Sequence, residues 1–109
     1  MTAYTRLQSI QDDIKSGTTS VTTLVQSYLD KIQEKKSLNA FLEVFEEEAL
    51  QKAQALDERI QSGDTPGKLH GLVVGLKDNI CYKGHKVSAS SKILENFESL
   101  FSATVVERL

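Results

Sequence analysis

Apolar and polar positions alternate with two different periods along this chain. Leu7, Ile10 and Ile14 lie at helical spacing within residues 4–15, and Gly17 follows where a left-handed C′ residue ends a helix. Val21, Leu24, Val25, Tyr28, Leu29 and Ile32 then form the stripe of a one-faced amphipathic helix. Thr18, Thr19 and Ser20 are candidate N-caps for it, and Lys31, Lys35 and Lys36 suit its negative end. The run LNAFLEVF, residues 38–45, is short, apolar and rich in strand-favouring side chains, although its brevity leaves helix open. Glu46, Glu47 and Glu48 open a third helical stripe of Ala49, Leu50, Ala53, Leu56 and Ile60, which closes at Ser62 and Gly63.

A turn cluster from Gly63 to Gly67 holds the only proline, and LVVGLKDNI, residues 72–80, is a second strand-like run. Strand, helix, strand is the βαβ unit of a parallel sheet. Residues 88–97 read as extended or irregular, and SATVVERL reads as a helix start with Ser102 as N-cap. Val73 and Val74 point to opposite faces of their run, so both faces of such a sheet need cover. The expectation is an α/β fold: amino-terminal helices over residues 1–37, then the start of a larger α/β domain over 38–109 with an incomplete sheet.

Length and charge narrow the function classes. The chain has 109 residues, one domain's worth, with 13 Lys and Arg against 15 Asp and Glu. A net charge of −2 argues against a surface that holds nucleic acid by bulk positive charge. One cysteine, Cys81, rules out an internal disulfide. No apolar run reaches membrane-spanning length, and the first twenty residues lack the apolar core of a signal peptide. These features predict a soluble cytoplasmic chain.

Most catalytic patterns are missing. The glycines of Gly63–Gly67 are one residue too close for a phosphate-binding loop, and Leu69 stands where a magnesium-binding hydroxyl belongs. There is no Gly-x-Ser-x-Gly elbow and no Ser-x-x-Lys pair. His70 and His85 read as surface or loop residues, since neither has a partner at metal-ligand spacing. Ser88, Ser90 and Ser91 read as loop hydroxyls. Lys77 differs. It ends the apolar run Leu72–Leu76, and open α/β sheets bind ligands at the carboxyl ends of their strands. Desolvation there disfavours the ammonium form and would make the amine a proton acceptor. The plainer alternative is that Lys77 reaches out to water, or pairs with Asp78 or a nearby glutamate.

The string LHGLVVGLKDNICYKGHKVSASSKILENF, with SATVVERL after it, resembles the amidase signature family. Within that family it is most similar to the glutaminase-type (A) subunits of tRNA-dependent amidotransferases, and the lead-in SYLDKI and NAFLEVFEEEAL agrees. The resemblance implies the opening of an α/β/α domain built on a large mixed sheet. It also implies a Ser–cis-Ser–Lys triad whose lysine is Lys77 and whose serines lie beyond this sequence, so that the chain alone is inactive. The implied substrate is glutamine, whose ammonia a B subunit uses to amidate Glu-tRNA or Asp-tRNA while a C subunit braces the pair. ATP and Mg belong to that whole complex, and no cofactor or metal is implied for these residues. Two departures stand out: Val73 occupies a common proline position, and Ser88-Ala89-Ser90-Ser91 replaces Thr-Cys-Ala-Ser. Gly75, within the second apolar run, would admit close backbone approach beneath the site. A non-enzymatic helical module that docks through the stripe of the second helix is the competing reading.

Overall fold

The computed structural model describes residues 4–109, which fall into two compact units, Met1–Val73 and Val74–Leu109. The first unit is helical: α1 (Leu7–Lys15), α2 (Val21–Glu34) and α3 (Glu46–Gln61). The three helical stripes fall where periodicity places them. Val21 and Val25 of α2 close on Ala53 of α3, with Ile14, Leu29, Ala49, Leu50 and Leu56 packed around them. Ala53 is only 1% exposed, so a small side chain is what lets α2 and α3 approach. The stripe of α2 is thus spent largely on its own unit, which weakens the docking-module reading.

The helix ends are specified by short-range chemistry. Ser20 is the N-cap of α2, its hydroxyl accepting the Thr23 N–H at 3.1 Å. Helices α1 and α3 both end in the Schellman pattern. Thr18 N donates to the Asp13 carbonyl and Gly17 N to that of Ile14. Asp64 N and Gly63 N repeat the arrangement on Arg59 and Ile60, and Gly17 and Gly63 take the left-handed φ values of 76° and 95° that it requires. Downstream of α3, Gln11 on α1 donates its side-chain amide to the carbonyls of Lys68 and His70, at 3.0 and 3.2 Å. That bond pair fixes the turn carrying His70 and Gly71 against α1.

The expected βαβ unit is not present among the described residues. Lys36–Leu38 form a 3₁₀ turn, Asn39 is left-handed at φ 49°, and residues 40–45 run on without a ladder. Residues 72–77 likewise run without a ladder, with Leu72, Val73 and Val74 exposed. The physical reason is that β-favouring side chains fit a pleated, half-buried surface and do not create one. A segment becomes a strand only when a neighbour completes its hydrogen bonds, and a parallel neighbour most of all needs covered faces. The β pairing that does occur among the described residues is antiparallel, a bridge between Lys86 and Glu98.

That bridge organises the second unit. Gly84 N and Ser99 N exchange bonds with the Ser99 and His85 carbonyls, and Val87 N donates to Phe97 O at 3.1 Å. A 3₁₀ turn at Lys92–Leu94 lies between the paired segments, and α4 (Thr104–Glu107) follows them. Ser102 is not the cap of α4. Ala103 holds that position, and the Ser102 hydroxyl instead accepts the Lys83 N–H at 3.1 Å. Among the described residues no helix is long and apolar enough to cross a membrane.

Candidate functional site

Lys77 is the last residue of the unpaired run 72–77, and its carbonyl accepts the Ile80 N–H at 2.9 Å to close a turn. The side chain is exposed. Among the described residues it makes no ion pair, and the neighbouring Asp78 is engaged elsewhere. One Asp78 carboxylate oxygen accepts the Ser88 N–H at 3.1 Å and the other accepts the Ser88 hydroxyl. The Asp78 carbonyl takes the Ala89 N–H at 3.0 Å. Side chain and backbone of one residue therefore pin the turn after Lys77 to a loop ten positions on.

This loop is strained. Ala89 and Ser90 occupy the left-handed region in succession, at φ 48° and 61°, where a Cβ is unfavourable. The anion compensates: the conformation aims successive N–H groups at Asp78. The Ser88 hydroxyl first, then the Ser88 N–H, hold its carboxyl below the ordinary carboxylate range against desolvation, with lesser help from the Ser90 and Ala89 N–H groups. Ser88 is thus a structural partner of Asp78. Ser91 sits in the same loop, its carbonyl accepting the Leu94 N–H. Sequence spacing gives no hint of the Asp78–Ser88 link, which joins two polar residues across an irregular segment.

The histidines divide. His85 stays on its turn, its ring stacked on Tyr82 at 3.9 Å and its Nδ1 3.0 Å from the Lys83 carbonyl. His70 lies in a loop but is not a surface residue. It is 8% exposed, and its Nε2 is buried without a hydrogen-bond partner. The reason is the Gln11 bond to its carbonyl, which holds this turn against α1. Cys81 is a half-buried free thiol. Among the described residues no cluster of His, Cys, Asp or Glu is arranged to hold a metal. The hollow at the start of α3, lined by Val44–Glu48 and Gln51, does not include Lys77.

Comparison with known proteins assigns the chain to a family. The family model described as Amidase matches residues 23–109. The glutamyl-tRNA(Gln) amidotransferase A-subunit of Chlorobium phaeobacteroides (strain DSM 266) is 42% identical over 97% of this chain, which is 22% of its own length. That of Chlorobium chlorochromatii is 42% identical over the whole chain and again 22% of its length. The chain therefore spans about a fifth of the length of the curated relatives it matches. Among solved structures, a chain from a study of a vestigial protein complex and the origins of an s-triazine catabolic enzyme superposes with a TM-score of 0.87. It is 30% identical, and the match covers 94% of this chain and 23% of that one. With four-fifths of its residues inside the family model and its backbone in the shape of that solved neighbour, this chain belongs to the amidase family.

Proposed function

We propose that these residues form the amino-terminal part of the glutamine-hydrolysing subunit of a tRNA-dependent amidotransferase, with Lys77 as its general base. The observation that carries the reading is Lys77 itself. It stands at the end of an apolar extended run, in the LKDNI motif, with the following residue pinned by Ser88 in a chain 42% identical to glutamyl-tRNA(Gln) amidotransferase relatives. In this mechanism a neutral Lys77 amine accepts a proton relayed through a cis-serine from a nucleophilic serine. The nucleophile attacks the side-chain amide of glutamine, ammonia leaves, and water resolves the acyl-enzyme. Both serines come from polypeptide outside these 109 residues, so the chain alone releases no ammonia.

On the same reading the unpaired runs 38–45 and 72–77 become strands of an α/β/α domain once neighbours supply their ladders, with residues 1–37 as its helical lead-in. The ammonia serves a B subunit that amidates misacylated tRNA, with a small C subunit bracing the pair in the cytoplasm. ATP and Mg act in that partner's chemistry, and no residue here is assigned to them.

The test is a chimera in which this chain replaces the matching segment of the Chlorobium phaeobacteroides relative. Glutamine-dependent ammonia release is expected, falling by about 10²- to 10⁴-fold in Lys77→Ala, the range for loss of a positioned acid–base group. A chimera that hydrolyses glutamine equally well with Lys77→Ala removes the lysine from the mechanism. Ammonia release by the 109-residue chain alone overturns the division of the triad.

A further inference from the structure

The proposed base has a carboxylate as its next residue in the chain. Asp78 is the only Asp or Glu between Asp64 and Glu95, so it is the acid that chain position offers to Lys77. An opposite charge within about 4–6 Å favours the ammonium form of a lysine, and an ammonium accepts no proton. Adjacent residues of this chain do pair elsewhere: Lys35 Nζ lies 3.0 Å from a carboxylate oxygen of Glu34. Lys77 and Asp78 do not, and neither forms an ion pair among the described residues.

What occupies the carboxylate is Ser88. One oxygen accepts the Ser88 N–H at 3.1 Å and the other the Ser88 hydroxyl, so both are directed to the loop. The Ala89 N–H, 3.0 Å from the Asp78 carbonyl, holds the backbone to the same loop. Residues 88–91 bring no ionisable side chain, and those flanking them, Cys81, Tyr82, Lys83, His85, Lys86 and Lys92, include no carboxylate. The Ser88 hydroxyl foremost, and the N–H groups after it, hold the Asp78 carboxyl below the ordinary range, so it is an anion at neutral pH. A full negative charge is thus present one residue from Lys77 and turned to a serine.

We infer that Ser88 is a positioning residue for the reaction: it holds the Asp78 carboxylate away from Lys77 and so leaves the amine able to accept a proton. The inference rests on the proposed function and adds a residue to that site. Ser88 acts through Asp78 and not on the reacting atoms. A purely structural anchor would need only a bond between turn and loop, whereas this role needs the anion, and Asp78→Asn removes the anion alone.

The test applies two readouts to Ser88→Ala, Asp78→Asn and the double variant. In the 109-residue chain, acetic anhydride labelling of Lys77 at neutral pH reports the free amine, read by peptide mass spectrometry against the exposed Lys36. Ser88→Ala should slow it by about two- to fivefold, the range for a newly formed exposed ion pair. The double variant should recover the wild-type rate, because the asparagine amide carries no charge. In the chimera, the rising limb of the pH–rate profile for kcat/KM should move to higher pH by about 1–3 units in Ser88→Ala and return in the double variant. Ser88→Thr, which keeps the hydroxyl, should leave that limb in place. A Ser88→Ala chimera that loses activity equally at every pH, or a double variant no better than Ser88→Ala, makes the serine a scaffold and overturns the inference. So does an unchanged labelling rate in Ser88→Ala. A chimera indifferent to Lys77→Ala, or without glutamine hydrolysis, ends the catalytic reading instead, and the labelling then decides whether Ser88 keeps the carboxylate from Lys77.

Discussion

Asp57 of α3 caps the first turn of α2 through Thr22, accepting its N–H at 2.9 Å and its hydroxyl at 2.7 Å. The other carboxylate oxygen takes the Val21 N–H at 2.8 Å. An α-helix start leaves four N–H groups unpaired and carries partial positive charge. No acidic residue lies in the first turn of α2, and a neighbouring helix supplies the anion. The cap therefore does two things at once: it satisfies the start of α2 and fixes that start against α3, where Val21 packs on Ala53.

Removing this carboxylate should cost about 1–3 kcal/mol, the range for a cap whose loss leaves half-buried N–H groups unpaired. The pH dependence follows from the carboxyl's environment. Desolvation pushes Asp57 up, but the Thr22 hydroxyl, the Thr22 and Val21 N–H groups and the nearby His70 together outweigh it, so its pKa lies below the ordinary value. A depressed folded-state pKa contributes stability above the unfolded value, and that contribution disappears as pH falls through the folded one. Urea melts of the wild type and Asp57→Asn should differ most at pH above the ordinary carboxylate range and converge only as pH falls through the depressed folded-state pKa, below that range. A gap independent of pH would show that the carboxylate's charge is not what stabilises the joint.

Gly71 gives a second prediction. Its φ is +84°, and a Cβ there would come within 2.8 Å of Ile10 Cγ2 and Ile14 Cδ1 on α1. Gly71→Ala therefore meets both backbone strain and a packed wall, and should destabilise the first unit by about 2–4 kcal/mol. Gly17, at φ +76°, faces open space and would suffer the strain alone, about 1 kcal/mol. Thermal melts of the two variants separate the contributions; equal losses would mean that α1 yields freely to the added methyl group.

The elements legible in the sequence are those specified locally. The α2 stripe repeats every three to four residues and starts after Ser20, and both signals are contained within the helix. The Gly17 and Gly63 terminators are equally local. Residues 38–45 and 72–80 read as strands of one unit yet have no ladder, because apolar content describes a need for cover, while a ladder depends on a neighbour. Ser102 loses its capping role to the distant Lys83 N–H, and Asp57 takes up a capping role 35 residues from Thr22. At the candidate site, the motif around Lys77 is visible in the sequence, whereas its Asp78–Ser88 anchor is not. A polar bond between irregular segments leaves no periodic trace.

Ala53 tests how closely α2 and α3 must approach. At 1% exposure beside Val21 and Val25, it has no room to grow. Ala53→Leu should cost about 1–3 kcal/mol by overpacking, although leucine has the better burial energy and a comparable helix propensity. Chemical denaturation reads the effect directly. A neutral or stabilising result would mean that the helices separate without cost.

Ser88→Ala isolates the anchor behind Lys77. The hydroxyl is the largest influence holding the Asp78 carboxyl below its ordinary range, so its removal should move that titration upward toward the ordinary value. Carbon-detected NMR of the Asp78 side chain reads this shift in the intact chain. Because Ala89 and Ser90 sit at positive φ, their conformation depends on the bonds that tie this loop to Asp78, from Ser88 to its carboxylate and from the Ala89 N–H to its carbonyl. The Ala89 amide, bonded to the Asp78 carbonyl, should therefore exchange faster in the variant than in the wild type. The same sign rule applies in the wild type. With the folded pKa depressed, the anchor is intact above the ordinary carboxylate range and releases the loop as pH falls below it. An Asp78 titration that does not move in Ser88→Ala would assign the anchor to the backbone N–H groups alone, and the turn carrying Lys77 would then owe nothing to the serine hydroxyl.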